Sequence, residues 1–278
     1  MPIIYLSPST QEYNLYIDGL GNEEAWMNRL ADAMEPLLYA SGIRFVRNDP
    51  DTSAAAAIQA SNAGDYDLHL ALHTNASGPD QAGENRGILA FYFPGSARGM
   101  RAAQFLVNRL KSIYPQPNLV RTEPTTTIGE VRRVRAPAVL LELGFHDNSE
   151  DALWIVTHID QMAQAIVLAL TEYFGIPYFS ASDPRPGVVQ VDFGLVDVFR
   201  QPDASADVVA QLYDGAPVTV INQWNGWDLI QFGEETGYVS GSFLVTERGN
   251  PVCFFTFTNC SLKVSKLSTI FPQGCAIL

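Results

Sequence analysis

The chain has 278 residues, of which 47% are hydrophobic and 17% charged, and its formal net charge is -13. That length suits one large domain and a small one, and the acidic balance argues against a general nucleic-acid binder. No apolar run approaches the roughly 18 residues that a membrane-spanning helix needs, and Cys253, Cys260 and Cys275 match neither a disulfide framework nor a zinc knuckle.

Ile3 to Leu6 reads as a buried strand, followed by a turn through Ser7 and Gln11 in which Pro8 ends the ladder. Gly19 and Gly21 break the chain. Asn22 caps a helix that starts at Glu23 and runs to about Tyr39, with Met27, Leu30, Met34, Leu37 and Leu38 at helical spacing. Pro36 is expected to kink this helix or mark a second start. A carboxylate in a first helical turn is favoured by the helix dipole, which is reason enough for Glu23 and Glu24 without any function. Strand 43–46 and helix 54–60 follow. Leu68 to Leu72 is an apolar run broken by His69, as in a strand buried on both faces, and His73, Thr74 and Asn75 stand at its carboxyl end. Ligands of open α/β sheets gather at that end of the strands.

The spacing then predicts a strand over 87–93, an amphipathic helix over 96–114 and a loop over 115–124. A run rich in arginine holds Glu130, Arg132, Arg133 and Arg135. Ala138 to Glu142 is a further buried strand that ends in a carboxylate, and one long helix is expected from about Ser149 to Phe174. This alternation of strand and helix predicts an α/β fold, a twisted and mostly parallel sheet flanked by helices. Prolines, serines and a glycine mark a linker over 179–187. Short strands and turns over 188–247, with a hairpin signal at Asn225 and Gly226, predict a small all-β barrel. Residues 248–278 are left as a tail without assigned structure, and the first domain is placed at 1–178.

Histidine and carboxylate at strand ends are the donors of an open zinc site, and a separate carboxylate is then needed as general base. Glu142 suits the second role, because a buried strand delivers it into low dielectric; an ion pair with Arg132, Arg133 or Arg135 is the competing reading.

Asn22-Glu23, Leu72-His73-Thr74-Asn75-Ala76 and Pro137 to Phe145 together resemble the zinc-dependent N-acetylmuramoyl-L-alanine amidases, in order and spacing, over residues 3 to about 174. The resemblance implies hydrolysis of the amide between the lactyl group of N-acetylmuramic acid and L-alanine. In that reaction zinc polarises the carbonyl and a glutamate moves the proton. Carried onto this chain, Glu23 and His73 match metal ligands and Glu142 the catalytic glutamate. The family's usual first histidine has no counterpart; Ser9, Thr10 and Gln11 occupy its turn. His146 is expected as the third ligand, with the Gln11 oxygen or a water as alternatives. Arg132, Arg133 and Asn75 are expected to contact substrate, the arginines through stem-peptide carboxylates. His69 is expected to be a core histidine or a partner behind the metal ligands, and His158 to be structural.

Asp214 to Val220, Asn225-Gly226-Trp227 and Gly237-Tyr238-Val239 resemble a bacterial Src-homology-3-like domain, a module that binds or tethers to the wall, with Trp224, Trp227 and Tyr238 as candidates for an aromatic groove. The partner expected is peptidoglycan, with no nucleic acid and no membrane span, and the chain is expected to be a monomer. It is expected to act at the cell wall; without a signal peptide in this sequence, release by lysis, a non-classical route or a trimmed leader are the options. The other reading is an inactive peptidoglycan-binding protein that has lost its metal.

Overall fold

The computed structural model describes residues 1–246; the three cysteines lie outside the described residues. The first sheet has six strands: β1 (Ile3–Pro8), β2 (Arg44–Arg47), β3 (Leu68–Asn75), β4 (Ile88–Tyr92), β5 (Val120–Pro124) and β6 (Ala138–Phe145). Their order across the sheet is β2-β1-β3-β6-β4-β5. All neighbours are parallel except β4 and β6. β3 and β6 are thus the central pair, and their uninterrupted apolar runs fit a position covered on both faces.

Six helices flank the sheet: α1 (Glu23–Ala40), α2 (Ala54–Ala63), α3 (Ala97–Leu110), the single turn α4 (Gly129–Arg132), α5 (Ser149–Thr157) and α6 (Ile159–Phe174). α6 packs between α1 and α3. Side chains alternate along a strand, so Leu68, Leu70 and Leu72 enter the large core beneath these helices. Ala71 joins Leu140 and Val131 in a smaller cluster on the other face, where α4 packs against β6. His69 and His73 share that smaller face by the same alternation.

Several expectations need correction. α1 runs unbroken through Pro36, because Met34, Leu37 and Leu38 are all fully or nearly fully buried and hold the last turns against the core. Residues 120–124 form an edge strand rather than loop. With one neighbour and a polar sequence, Val120-Arg-Thr-Glu-Pro lacks the apolar alternation that announces a strand. The expected long last helix is two, α5 and α6, bent by 75°, with His158 at the junction and its Nδ1 2.9 Å from the Trp154 carbonyl oxygen. Among the described residues no single helix is long and apolar enough to cross a membrane.

The second sheet is antiparallel: β7 (Arg185–Val189), β8 (Leu195–Phe199), β9 (Val208–Tyr213), β10 (Pro217–Trp224), β11 (Trp227–Phe232), β12 (Glu235–Ser240) and β13 (Leu244–Thr246). Asn225 and Gly226 both take positive φ in the β10–β11 hairpin, as a tight primed turn requires. β7 begins inside the stretch read as linker. The barrel has its own core of Val189, Val196, Val198, Val220, Ile230 and Val239. Ile221, Leu229 and Tyr238 instead join the core of the first sheet. Asn222 Nδ2 donates to the Ala40 carbonyl at 2.8 Å, and Gln201 Nε2 to that of Phe174 at 2.8 Å. Gly42, at φ +75°, lies so close to the barrel that a Cβ there would stand 2.7 Å from Leu229 Cδ1. Barrel and first sheet form one compact unit.

Candidate active site

The site is assembled at the carboxyl ends of β1, β3 and β6. Asn22 takes an extended conformation and its side chain accepts the Ala25 N–H at 2.8 Å, which starts α1 at Glu23. That start brings the Glu23 carboxylate to the end of β3. Glu23 Oε1 lies 2.8 Å from His73 Nδ1 and accepts the Thr74 N–H at 3.3 Å, while Oε2 accepts Asn14 Nδ2 at 2.6 Å. Gln11 Nε2 is 3.2 Å from the same His73 Nδ1. In the parallel β3–β6 ladder His73 is the register partner of Glu142, so strand alternation sets the two side chains on one face.

The sequence reading assigned no role to Glu130, which stands at the other side of the imidazole. Its Oε2 is 3.0 Å from His73 Nε2, and its Oε1 accepts the Ser7 hydroxyl at 2.6 Å and faces His69 Nε2 at 3.4 Å. His69 is fully buried, its Nδ1 3.0 Å from Ser61 Oγ and its ring stacked on Tyr5. The one signal for Glu130 in the sequence was an acid set among three arginines just before a buried strand. No spacing rule ties such an acid to a histidine on another strand.

The electrostatics separate the carboxylates. Burial raises the Glu142 carboxyl to about 7, with Glu23 and Glu130 adding to the rise and His73 opposing it. Among the described residues its Oε2 has no hydrogen-bond partner and no arginine pairs with it. Burial alone would lower His73, but the hydrogen bonds and charges of Glu130 and Glu23 outweigh it and raise the imidazole to about 10. Burial also works to raise Glu23 and Glu130. The histidines beside them win, and both carboxyls are held below the usual range. One proton acceptor poised near neutrality therefore sits beside a histidine between two ionised acids.

The structure brings Glu23, His73 and Glu142 together, with Gln11 beside them. His146 is buried nearby, but its Nδ1 lies 3.1 Å from Thr74 Oγ1 and its ring stacks on Tyr16. Thr74 follows His73 in β3 and points to the opposite side, and no hydrogen bond joins His146 to Glu23 or His73 among the described residues. Asn75 turns its Oδ1 to the Ala76 N–H. Arg132 and Arg133 are exposed. Arg132 lines a cleft of about 500 Å³ with Phe93, Arg98, Arg135 and Ala138. Ala138 precedes Glu142 by four residues of β6, which is about 13 Å of strand. In the barrel, Tyr238 is fully buried and Trp227 packs edge-on against Phe199; of the three aromatics proposed for a groove only Trp224 is exposed.

Comparison with known proteins agrees with this geometry. The N-acetylmuramoyl-L-alanine amidase family profile matches residues 16–172, more than half of the chain, and that of the bacterial SH3 domain matches 194–245. Among solved structures, the amidase AmiC2 of Nostoc punctiforme superimposes with a TM-score of 0.53 at 15% identity, covering 63% of this chain and 97% of that one. The CwlD amidase from Clostridioides difficile, solved with the GerS lipoprotein, gives 0.55 at 16% identity, over 63% and 99% of the two chains. The catalytic domain of CwlV from Bacillus (Paenibacillus) polymyxa gives 0.53 at 17%, over 64% and 100%. No curated protein matches the chain. The profile match over residues 16–172 places the chain in the N-acetylmuramoyl-L-alanine amidase family.

Proposed function

We propose that this peptidoglycan amidase works with zinc, held by Glu23 and His73, and that Glu142 is its general base. The observation that carries the reading is Glu142, a partly exposed residue whose enclosed Oε2 has no hydrogen-bond partner among the described residues and whose carboxyl is raised to about 7 on the same face as the Glu23–His73 pair. A general base is most effective when its pKa lies near the working pH.

The donor set supports the metal. Adjacent donors on a tetrahedral zinc stand about 3.4 Å apart, given bonds near 2.1 Å. Here His73 Nδ1 has Glu23 Oε1 at 2.8 Å and the Gln11 amide at 3.2 Å. Among the described residues no group of three His, Cys, Asp or Glu side chains is placed to share an ion, and for the third donor Gln11 and His146 are the candidates. Gln11 fits better than His146: its amide nitrogen and oxygen exchange places by rotation of the terminal group.

When bound, zinc supplies a positive charge that acidifies water and polarises an amide carbonyl. Glu142 takes the proton from the attacking water as the new C–O bond forms. The neutral carboxyl returns that proton to the L-alanine nitrogen as the C–N bond breaks. The products are a lactyl carboxylate and a free amine. Burial favours the neutral carboxyl of Glu142 and so eases the first transfer.

The test is digestion of purified peptidoglycan with mass analysis. Stem peptides with free L-alanine amines and intact glycan strands are expected, with loss of release on chelation and recovery with zinc. Release that survives complete removal of metal would overturn the zinc reading. Binding without release at any metal supply would favour the inactive wall binder.

A further inference from the structure

We infer that Glu130 is a positioning residue that decides which nitrogen of His73 faces the site: it holds the hydrogen on Nε2 and leaves the Nδ1 lone pair turned toward Glu23 and Gln11. This rests on the zinc reading above and deepens it. Three observations carry it. Glu130 Oε2 lies 3.0 Å from His73 Nε2, while Glu23 and Gln11 both approach Nδ1. A carboxylate accepts but does not donate, so in the metal-free protein Glu130 and Glu23 each accept a hydrogen bond from the ring. A metal held by Glu23 and Gln11 would displace the hydrogen on Nδ1, and Glu130 keeps the one on Nε2. A carboxylate on the far nitrogen of a metal-binding histidine also fixes the ring and raises its basicity.

The second observation is that Glu130 is itself fixed. The Ser7 hydroxyl donates to its Oε1 at 2.6 Å, and His69 stands at 3.4 Å from the same oxygen. Ser7 belongs to β1, His69 to β3, and Glu130 to α4, so three elements set the position of one carboxylate. The third is enclosure. Glu130 is buried, and the space beside it, lined by Ser7, Ser9, Ala57 and His73, does not admit a water. A hydrolytic metal needs an open position for water. The zinc reading puts the metal between Glu23 and His73, at Nδ1, so Glu130 at Nε2 is read as an orienting partner and not as a metal ligand.

The experiment uses the full chain, with nitrogen-labelled histidine, loaded with an NMR-active cadmium isotope. Wild type is expected to show cadmium coupled to His73 Nδ1 and a proton on Nε2. Glu130→Ala is expected to bind zinc roughly ten- to hundredfold more weakly in chelator competition and to lose the single coupling pattern. Glu130→Gln restores most of the affinity, because its amide oxygen accepts the same N–H. Coupling to Nε2 in the wild type overturns the inference, and that measurement stands even if Glu130→Ala does not fold. Wild-type affinity and coupling in folded Glu130→Ala also overturn it, while leaving the zinc reading intact. A wild-type protein that takes up neither metal overturns both.

Discussion

Glu142 concentrates the conflict between stability and chemistry on one side chain. Its carboxyl is raised from 4.5 to about 7 by burial. A carboxyl with a raised folded pKa contributes stability that is present below about 4.5 and lost as pH rises through about 7. That difference is on the order of 3 kcal/mol at full ionisation. Glu142→Gln removes the charge and keeps the shape. In the metal-free protein at pH 8 the variant is expected to melt higher than wild type, with the gap closing toward pH 4.5. Zinc uptake is retained and amide hydrolysis abolished. Thermal denaturation across that pH range checks the sign, and unchanged turnover would end the general-base assignment. The third donor is decided by a pair of variants. Gln11→Ala is expected to weaken zinc binding at least about tenfold, in the range of a lost metal contact. His146→Ala should leave it within a few fold, and the reverse order would return the role to His146.

At the scale of elements, the site depends on where α1 begins and where β6 ends. The β6 end is held by Asp151 of α5, a fully buried acid. Its Oδ2 accepts the backbone N–H of Phe145 and of Gly87, each at 3.0 Å. Arg86 Nε reaches Oδ1 at 3.1 Å, and the Tyr114 hydroxyl donates to the same oxygen at 2.5 Å. One carboxylate thus ties together α5, the turn before β4, the turn after α3 and the strand that carries Glu142. Removing it leaves two buried N–H groups and the Tyr114 hydroxyl without this acceptor, while Arg86 keeps Glu150. Asp151→Ala is expected to cost roughly 3–5 kcal/mol in chemical denaturation, with activity lost in step. A variant within 1 kcal/mol of wild type would show that the network carries little of the fold.

For the whole molecule, the barrel is docked on the end of α1 away from the site. α1 has 18 residues, so Glu23 at its start lies about 26 Å along the helix from Ala40, which bonds to Asn222 of the barrel. The barrel therefore does not line the catalytic cluster. Leu229, fully buried against Met1 and Gly42, sits at the joint. Leu229→Ala is expected to lower stability by roughly 2–5 kcal/mol, with wild type unfolding in one calorimetric transition and the variant losing that cooperativity. Two well-separated transitions in the wild type would mean that the joint contributes little.

Local pattern was sufficient for the α/β class, for the cap at Asn22, for the two central strands and for the places of Glu23 at a helix start and of His73 and Glu142 near strand ends, since each follows from spacing within one segment or from the family resemblance. Edge strands β5 and β9 were hidden, because a strand with one neighbour carries little apolar alternation. The unbroken path of α1 through Pro36 was hidden as well, because buried contacts outweighed a local preference. Glu130 beside His73, Gln11 beside the same ring, His146 turned to Thr74, and a barrel that shares the enzyme's core are relations between distant segments. Hydrogen-bond partners and buried joints are chosen only when the sheet order brings those segments together, so tertiary structure alone decided them.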